Sequence, residues 1–190
     1  MSLPQSLKSD LEFSSELFNI LRKVSNEVTE FTRKVCWELN LDRDVRVIIS
    51  LRRFTEPEWE GVEVSEDVVK KYIKYKEIYG YYDPQRKTIV LSPPCVEDEE
   101  TFSLTLAHEL IHHCQFTCRS KACSDVCEYL LSPEEAHEIR EMLPYEKRPY
   151  EAEAYSKDEA LANRIKSIAG LREIVSRIRE AYTEIKLLTA

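Results

Sequence analysis

The segment Phe102-Ser-Leu-Thr-Leu-Ala-His-Glu-Leu-Ile-His-His-Cys-Gln-Phe116 lies just past the middle of the chain. It is mostly apolar and follows the acidic run 97–100, which favours the positive end of a helix dipole. We therefore predict a helix over this segment. On a helix, His108 and His112 are four positions apart and face the same way, so both imidazoles can reach one metal ion.

The two histidines and Glu109 match the requirements of a catalytic zinc site. Zinc accepts neutral histidine nitrogen at about 2.0–2.1 Å, and a catalytic site keeps one position for water. The metal lowers the pKa of that water from about 15.7 toward about 7, and the adjacent Glu109 carboxylate can take its proton as general base. The alternative is a buried histidine pair satisfied by its neighbours, but two histidines at ligand spacing with a glutamate between them seldom serve packing alone.

Outward from this segment, the hydrophobic pattern predicts further helices and strands. Ile48 interrupts the polar side of the first strand, which indicates a strand covered on both faces. Proline at the first helical position indicates two helix starts late in the chain. The expected elements are helix Ser14–Leu39, strand Val45–Leu51, a charged helix over 66–77, a hairpin over 81–92 with its turn at Asp83-Pro84, helix starts at Pro133 and Pro149, and a last helix after Gly170.

The hairpin Tyr79-Gly-Tyr-Tyr-Asp-Pro84, continuing into Thr88-Ile-Val-Leu-Ser92, is followed by the acidic link and His108–His112. Over about residues 79–160 this order resembles the core of zincin-like metallopeptidases. The resemblance implies an α+β fold in which a small antiparallel sheet packs on the active-site helix, with additional N- and C-terminal helices. Its edge strand would line the substrate cleft.

We expect one zincin-like domain over residues 1–190. It would comprise an N-terminal helix within 1–40, the sheet and active-site helix over 45–116, and a Cys-rich loop with C-terminal helices over 117–190.

The resemblance also implies a third protein ligand to the metal. In the gluzincin branch it is a glutamate on a downstream helix, and Glu151, 39 residues after His112, fits best, followed by Glu153. The Asp that the branch carries four residues after this Glu is absent, because position 155 is Tyr. In the metzincin branch the ligand position would be Cys118, but the glycine of the metzincin turn is replaced by Gln115. The gluzincin branch is therefore favoured.

Two further groups of side chains accompany the predicted metal ligands. His113, Tyr150 and Tyr155 are candidates for supporting the ligands or stabilising an oxyanion. Four regularly spaced cysteines follow the helix, and we expect them to brace the loop after it, either as disulfides or as a second, structural zinc site. These are Cys114, Cys118, Cys123 and Cys127.

Composition excludes several classes of function. The formal net charge is −8, from 27 basic and 35 acidic residues, which disfavours nucleic-acid binding. No apolar run approaches the length of a membrane span, and residues 1–10 lack the apolar stretch of a secretory signal, so we expect a cytoplasmic protein. Only three glycines and seven Asn or Gln residues among many charges resemble the composition of thermophile proteins.

The sequence thus predicts a zinc-dependent metallopeptidase acting on a peptide or protein, with one catalytic Zn²⁺. Two alternatives share the same site residues. One is a non-catalytic zinc-binding or interaction module that keeps the fold, and the other is a zinc hydrolase acting on a non-peptide amide. Sequence leaves these alternatives, the substrate and the oligomeric state open.

Overall fold

A computed structural model of the chain describes residues 5–51, 54–55, 77–96, 98–117 and 126–189. This part has a mixed α+β fold with five α-helices and short strands. In chain order, the elements are α1 (Gln5–Glu38), β1 (Arg46–Ile49), β2 (Phe54–Thr55), β3 (Glu77–Ile78), β4 (Gly80–Asp83), β5 (Thr88–Leu91), a 3-10 turn (Pro93–Val96), α2 (Glu99–Thr117), α3 (Pro133–Met142), a second 3-10 turn (Tyr145–Lys147), α4 (Pro149–Lys166) and α5 (Leu171–Thr189). None of the helices described is both long and apolar enough to cross a lipid bilayer.

Three strands form the main sheet in the order β1-β5-β4. Strands β4 and β5 are the predicted antiparallel hairpin, with Tyr82 opposite Ile89. The prediction of an antiparallel sheet is otherwise wrong, because β1 pairs with β5 in parallel, with Val47 opposite Ile89. A parallel pair needs a long crossover, and the connection over residues 50–87 is long enough to provide it. Strands β2 and β3 form a separate antiparallel pair.

Strand β1 lies at one edge of this sheet, against α1. Its free backbone groups are satisfied by hydroxyls of that helix: Thr29 Oγ1 accepts from Val47 N at 2.9 Å, and Ser25 Oγ accepts from Ile49 N at 3.0 Å. The edge is thereby closed to pairing with another strand. Only one face of β1 is covered, since Ile48 is 41% exposed, and the expectation of two covered faces was wrong. The predicted charged helix over 66–77 lies outside the described residues except for Glu77, which belongs to strand β3.

The helix starts follow the local sequence signals. At α3 the Ser132 hydroxyl accepts from Glu135 N while the Glu135 carboxylate accepts from Ser132 N, a capping box that satisfies two donors of the first turn. Pro133 and Pro149 occupy the first turns of α3 and α4, where no backbone donor is needed. The predicted helix starts at Pro133 and Pro149 are thus confirmed.

Helix α2 runs through the centre of the molecule and is buried on several sides. It packs most extensively on α4, and it also contacts β4. A Cβ at Gly80 would lie 3.1 Å from Thr105 Cγ2 and 3.1 Å from Val90 O, so the absence of a side chain lets β4 approach the helix. Fully buried apolar residues on α2 and α4 make up much of the core between these elements. They include Phe102, Leu106, Leu110, Ile111 and Ile165.

Candidate metal centre

Three side-chain atoms converge where α2 meets the first turn of α4. His108 Nε2 and His112 Nε2 are 3.2 Å apart, and Glu151 Oε2 lies 3.2 Å from His112 Nε2 and 3.7 Å from His108 Nε2. Donors at about 2.0–2.1 Å from a tetrahedral zinc ion would be about 3.3 Å from one another. The three residues therefore form a group that could hold a metal ion.

Local structure explains why these atoms meet. His108 and His112 are one helical turn apart on α2, which places their imidazoles side by side. Glu151 lies in the first turn of α4, two residues after Pro149, and is buried against α2. Its Oε2 atom is buried and has no hydrogen-bond partner. A buried carboxylate oxygen without a partner is costly unless a cation or a donor faces it, and the two imidazoles do face it.

The other nitrogen of each imidazole is occupied by an acceptor. His112 Nδ1 is 2.8 Å from Gln115 Oε1, and His108 Nδ1 is 3.3 Å from Asp158 Oδ2. Because these acceptors hold the Nδ1–H protons, loss of the protons on Nε2 would leave both Nε2 lone pairs directed at the shared centre, as ligation to a metal requires.

Gln115 is itself fixed in one orientation. Its Nε2 donates to Tyr150 O and to Glu153 Oε2, both at 2.9 Å, which leaves Oε1 to face His112. The side chain is almost fully buried, so water cannot replace these partners. The amide therefore acts as a rigid link between the metal-facing histidine and α4.

Glu153, the second candidate for third ligand, does not point at the centre. Its carboxylate accepts from Gln115 Nε2, from the backbone N–H groups of Glu128 and Tyr129, and from Lys157 Nζ at 3.1 Å. Burial opposes its charge, but these hydrogen bonds lower the pKa of the carboxyl. Two residues from Glu151 on a helix, it faces the other way and anchors the segment before α3. The remaining candidate, Cys118, lies outside the described residues.

Glu109 is buried beside the histidines, and its Oε2 has no hydrogen-bond partner. Burial raises the pKa of this carboxyl, while the two imidazoles act in the opposite direction. A buried carboxylate oxygen without a partner is uncommon in folded proteins and indicates a group that meets a donor not supplied by the chain, such as water.

In the metal-free centre, protons on the histidines balance the negative charges of the neighbouring carboxylates. Burial disfavours the charged form of His108, but the nearby carboxylates of Asp158 and Glu151 outweigh burial and raise the pKa of His108 to about 10. Glu151 shows the converse: burial favours its neutral form, yet the two histidines hold the pKa of its carboxyl well below the usual range. A metal ion would replace these protons with its own charge.

Three tyrosines border the centre. The Tyr155 ring lies 4.6 Å from the His108 ring, and its hydroxyl is 3.1 Å from that of Tyr145. The Tyr145 hydroxyl also bonds to Glu151, and burial together with the charge of Glu151 raises the pKa of Tyr145. Tyr150 lies on the other side, with its ring 6.0 Å from that of His112. Sequence analysis identified Tyr150 and Tyr155 but missed Tyr145.

His113 does not take part in the centre. Its Nδ1 is 3.0 Å from the Tyr82 hydroxyl, and its Nε2 is 3.1 Å from Asp42 O, on another side of α2. Burial is the main reason that the pKa of His113 is lowered. The expectation that it supports the ligands or an oxyanion is therefore wrong, because both ring nitrogens already have partners in the core.

The described cysteines form no disulfide. Cys36, Cys95, Cys114 and Cys127 are buried free thiols, whereas Cys118 and Cys123 lie outside the described residues. Cys114 lies near the end of α2 and Cys127 precedes α3, and both are buried. The four-cysteine cluster thus stays a prediction.

Sequence analysis did not identify Asp158 and Gln115 as the residues that orient the histidines, although their spacing from the metal ligands could have indicated this role. Asp158 lies seven residues after Glu151, which is two turns along the same face of α4. Gln115 lies three residues after His112, within reach of its ring on α2. Position 155 is Tyr, and the carboxylate that contacts His108 is that of Asp158.

Comparison with known proteins returned no similarity: no protein-family model, curated protein or solved structure matches the chain.

Proposed function

We propose that this protein is a zinc-dependent metallopeptidase of the zincin-like type, with a peptide or protein as substrate. One observation carries the proposal. The ligand atoms of His108, His112 and Glu151 lie at the mutual distances of a tetrahedral zinc site, beside the unpartnered carboxylate of Glu109. That combination of a three-ligand site and an adjacent buried base is what metal-assisted hydrolysis requires.

The donor set favours zinc over calcium and magnesium. Two imidazole nitrogens and one carboxylate oxygen suit zinc, whereas calcium and magnesium prefer sites made of oxygen atoms alone. Each histidine also has an acceptor on its other nitrogen, the arrangement usual for ligating histidines. A bound zinc ion would lower the pKa of water toward about 7 and polarise a carbonyl group.

Glu109 has the properties of the proton-transfer group. Burial raises the pKa of its carboxyl, which makes the carboxylate a better proton acceptor near neutral pH. In the proposed reaction Glu109 takes a proton from the attacking water and passes it to the leaving amine nitrogen. The water oxygen bonds to the carbonyl carbon first, and the C–N bond then breaks as the amine leaves with the proton that Glu109 carried, so the proton balance closes within the site.

Two neighbouring features support a peptide substrate. Strand β4 is the edge of the described main sheet and packs against α2, as the zincin resemblance implies for a strand lining the cleft. Tyr155 is 39% exposed, while its ring lies against His108, so its hydroxyl borders both solvent and the centre. We assign to Tyr155, together with Tyr145, the role of hydrogen-bond donor to the oxyanion.

The test compares wild type with Glu109→Gln, which keeps the side-chain shape but cannot accept a proton. Zinc content is measured after purification without chelators, and cleavage is measured on a library of unstructured peptides. We expect equal zinc and a loss of cleavage by about 10²–10⁴-fold. Glu134→Gln, the same substitution on an exposed site of α3, is the control and should cleave like wild type.

Three outcomes would contradict the proposal in different ways. Absence of zinc from the wild-type protein would contradict the metal site itself. Zinc without cleavage of any peptide would favour a non-catalytic zinc-binding module. Hydrolysis of small amides but not of peptides would favour the non-peptide amide hydrolase.

A further inference from the structure

Arg148 carries a guanidinium at the border of the metal centre. It is the N-cap residue of α4 and lies about one helical turn before the candidate ligand Glu151. Its Nε donates to Leu143 O at 3.2 Å, and its Cζ lies 5.5 Å from the centre of the Tyr145 ring, a cation–π contact. The backbone acceptor and the aromatic ring together fix the orientation of the side chain.

Tyr145 connects this guanidinium to the candidate ligands. Its hydroxyl is 3.1 Å from that of Tyr155, whose ring lies 4.6 Å from the His108 ring. Burial raises the pKa of Tyr150, and the positive charge of Arg148 opposes this rise, so the guanidinium also acts on the tyrosine next to His112. Arg148 therefore lies beside the tyrosines that border the centre.

Burial and charge distinguish Arg148 from the other arginines of the described chain. Arg148 is half-buried, whereas each of the others is exposed. None of the described carboxylates forms an ion pair with it, although several exposed arginines have such a partner. A guanidinium removed from part of its water interacts strongly with an anion, and its planar donors fit a carboxylate with two parallel hydrogen bonds. The side chain is thus prepared for an anion that the described residues do not supply.

We propose that Arg148 binds a carboxylate of the peptide substrate. This inference rests on the proposed peptidase function and specifies its substrate class: peptides with an acidic side chain or a free C-terminus near the cleaved bond. Tyr145 contacts both the guanidinium and Glu151, and an extended peptide spans about 3.3–3.6 Å per residue, so the carboxylate belongs within about three residues of that bond. The formal net charge of −8 means that the surface as a whole does not attract such peptides, and the preference depends on Arg148.

Peptide binding to the zinc-loaded Glu109→Gln protein tests the inference, because this variant should hold substrates without cleaving them. The probes are alanine-rich peptides with blocked ends that carry one Glu, the same peptides with Gln, and peptides without Glu whose C-terminus is free or amidated. We expect Glu or the free C-terminus to increase affinity by about 10–100-fold over the neutral counterpart, the range for hydrogen bonds to charged groups. A gain with Glu alone identifies a side chain as the source of the carboxylate, and a gain with the free C-terminus alone identifies the terminus.

Variants of Arg148 show whether it is the origin of the preference. In the same background, Arg148→Gln should bind charged and neutral peptides equally, and Arg148→Glu should prefer peptides in which Lys replaces Glu. Arg164→Gln, which removes an exposed guanidinium from the same helix, is the control and should keep the full preference. A reversed preference cannot arise from a loss of folding, so it distinguishes recognition from a structural role. An unchanged preference in both Arg148 variants would overturn the inference.

The outcomes also separate this inference from the proposed function. A carboxylate preference that depends on Arg148, in a protein whose wild type cleaves no peptide, would support recognition by Arg148 and contradict the peptidase function. Equal binding of charged and neutral peptides, together with equal kcat/KM in the wild type, would support the peptidase function and overturn the role of Arg148. Absence of binding by every peptide would overturn that role as well.

Discussion

Replacing Gln115 with Met tests whether a neutral amide in the core controls the metal centre. Methionine has a similar length and volume but no hydrogen-bonding groups. The substitution removes the acceptor for His112 Nδ1 at 2.8 Å and the donors to Tyr150 O and Glu153, each at 2.9 Å. Since Gln115 is almost fully buried, water cannot take over these roles.

The magnitude follows from the partners that are left behind. Glu153 keeps its bonds to two backbone N–H groups and to Lys157, so it loses little. Tyr150 O, in the first turn of α4, can still accept the backbone bond of the helix, so only His112 Nδ1 becomes unpaired in the core, at a cost of about 1–3 kcal/mol. We therefore expect a loss of about 1–3 kcal/mol in the free energy of unfolding. Zinc affinity should fall by about 10–100-fold, because His112 is no longer held in the ligating tautomer.

Two assays check these figures. Urea denaturation of the metal-free protein gives the change in the free energy of unfolding, and competition with a chromophoric chelator gives the zinc dissociation constant. Gln85→Met is the matched control, since it makes the same substitution in the exposed turn of the hairpin. A dissociation constant for Gln115→Met within twofold of that of the control would refute the reasoning that Gln115 orients His112.

The remaining predictions concern protons and a helix cap. Zinc loading at pH 7 should release at least one proton, since the pKa of His108 is raised to about 10 in the metal-free form and zinc binds only neutral imidazole. Zinc affinity should accordingly rise with pH up to about this value. Calorimetry in buffers of different ionisation enthalpy measures the number of protons released. Absence of proton release would contradict a protonated metal-free centre. Ser132→Ala removes the acceptor for Glu135 N. Urea denaturation should show that the free energy of unfolding falls by about 1 kcal/mol. An unchanged free energy of unfolding would mean that the capping box is not formed in solution.

Much of the local structure could be predicted because its signals are short-range. The spacing of Val24, Val28, Phe31 and Val35 indicates which face of α1 is buried, and these residues are indeed buried. Proline at the start of α3 and of α4, and the hairpin around Asp83-Pro84, depend on backbone geometry within a few residues. Such features do not depend on where the rest of the chain packs.

The predictions that were wrong involve contacts between distant segments. The parallel pairing of β1 with β5 depends on how residues 50–87 return to the sheet. His113 was expected near the cleft because it follows His112, but Tyr82 and Asp42 O occupy both of its ring nitrogens. Ile48 is apolar yet exposed, and only the packing of α1 on one side of β1 explains which strand face is covered.

The sequence by itself determined that His108 and His112 share one helix face with Glu109 beside them, because the helical repeat relates near neighbours without reference to the rest of the fold. Only the tertiary structure decided that Glu151 faces them while Glu153 turns away, and that Gln115 and Asp158 hold their other nitrogens. Helix α4 is covered on two sides, by α2 and by the segment 126–131, so both of its glutamates are buried. Spacing along one helix cannot determine which of these two buried sides faces the histidines, because that choice depends on how two helices pack.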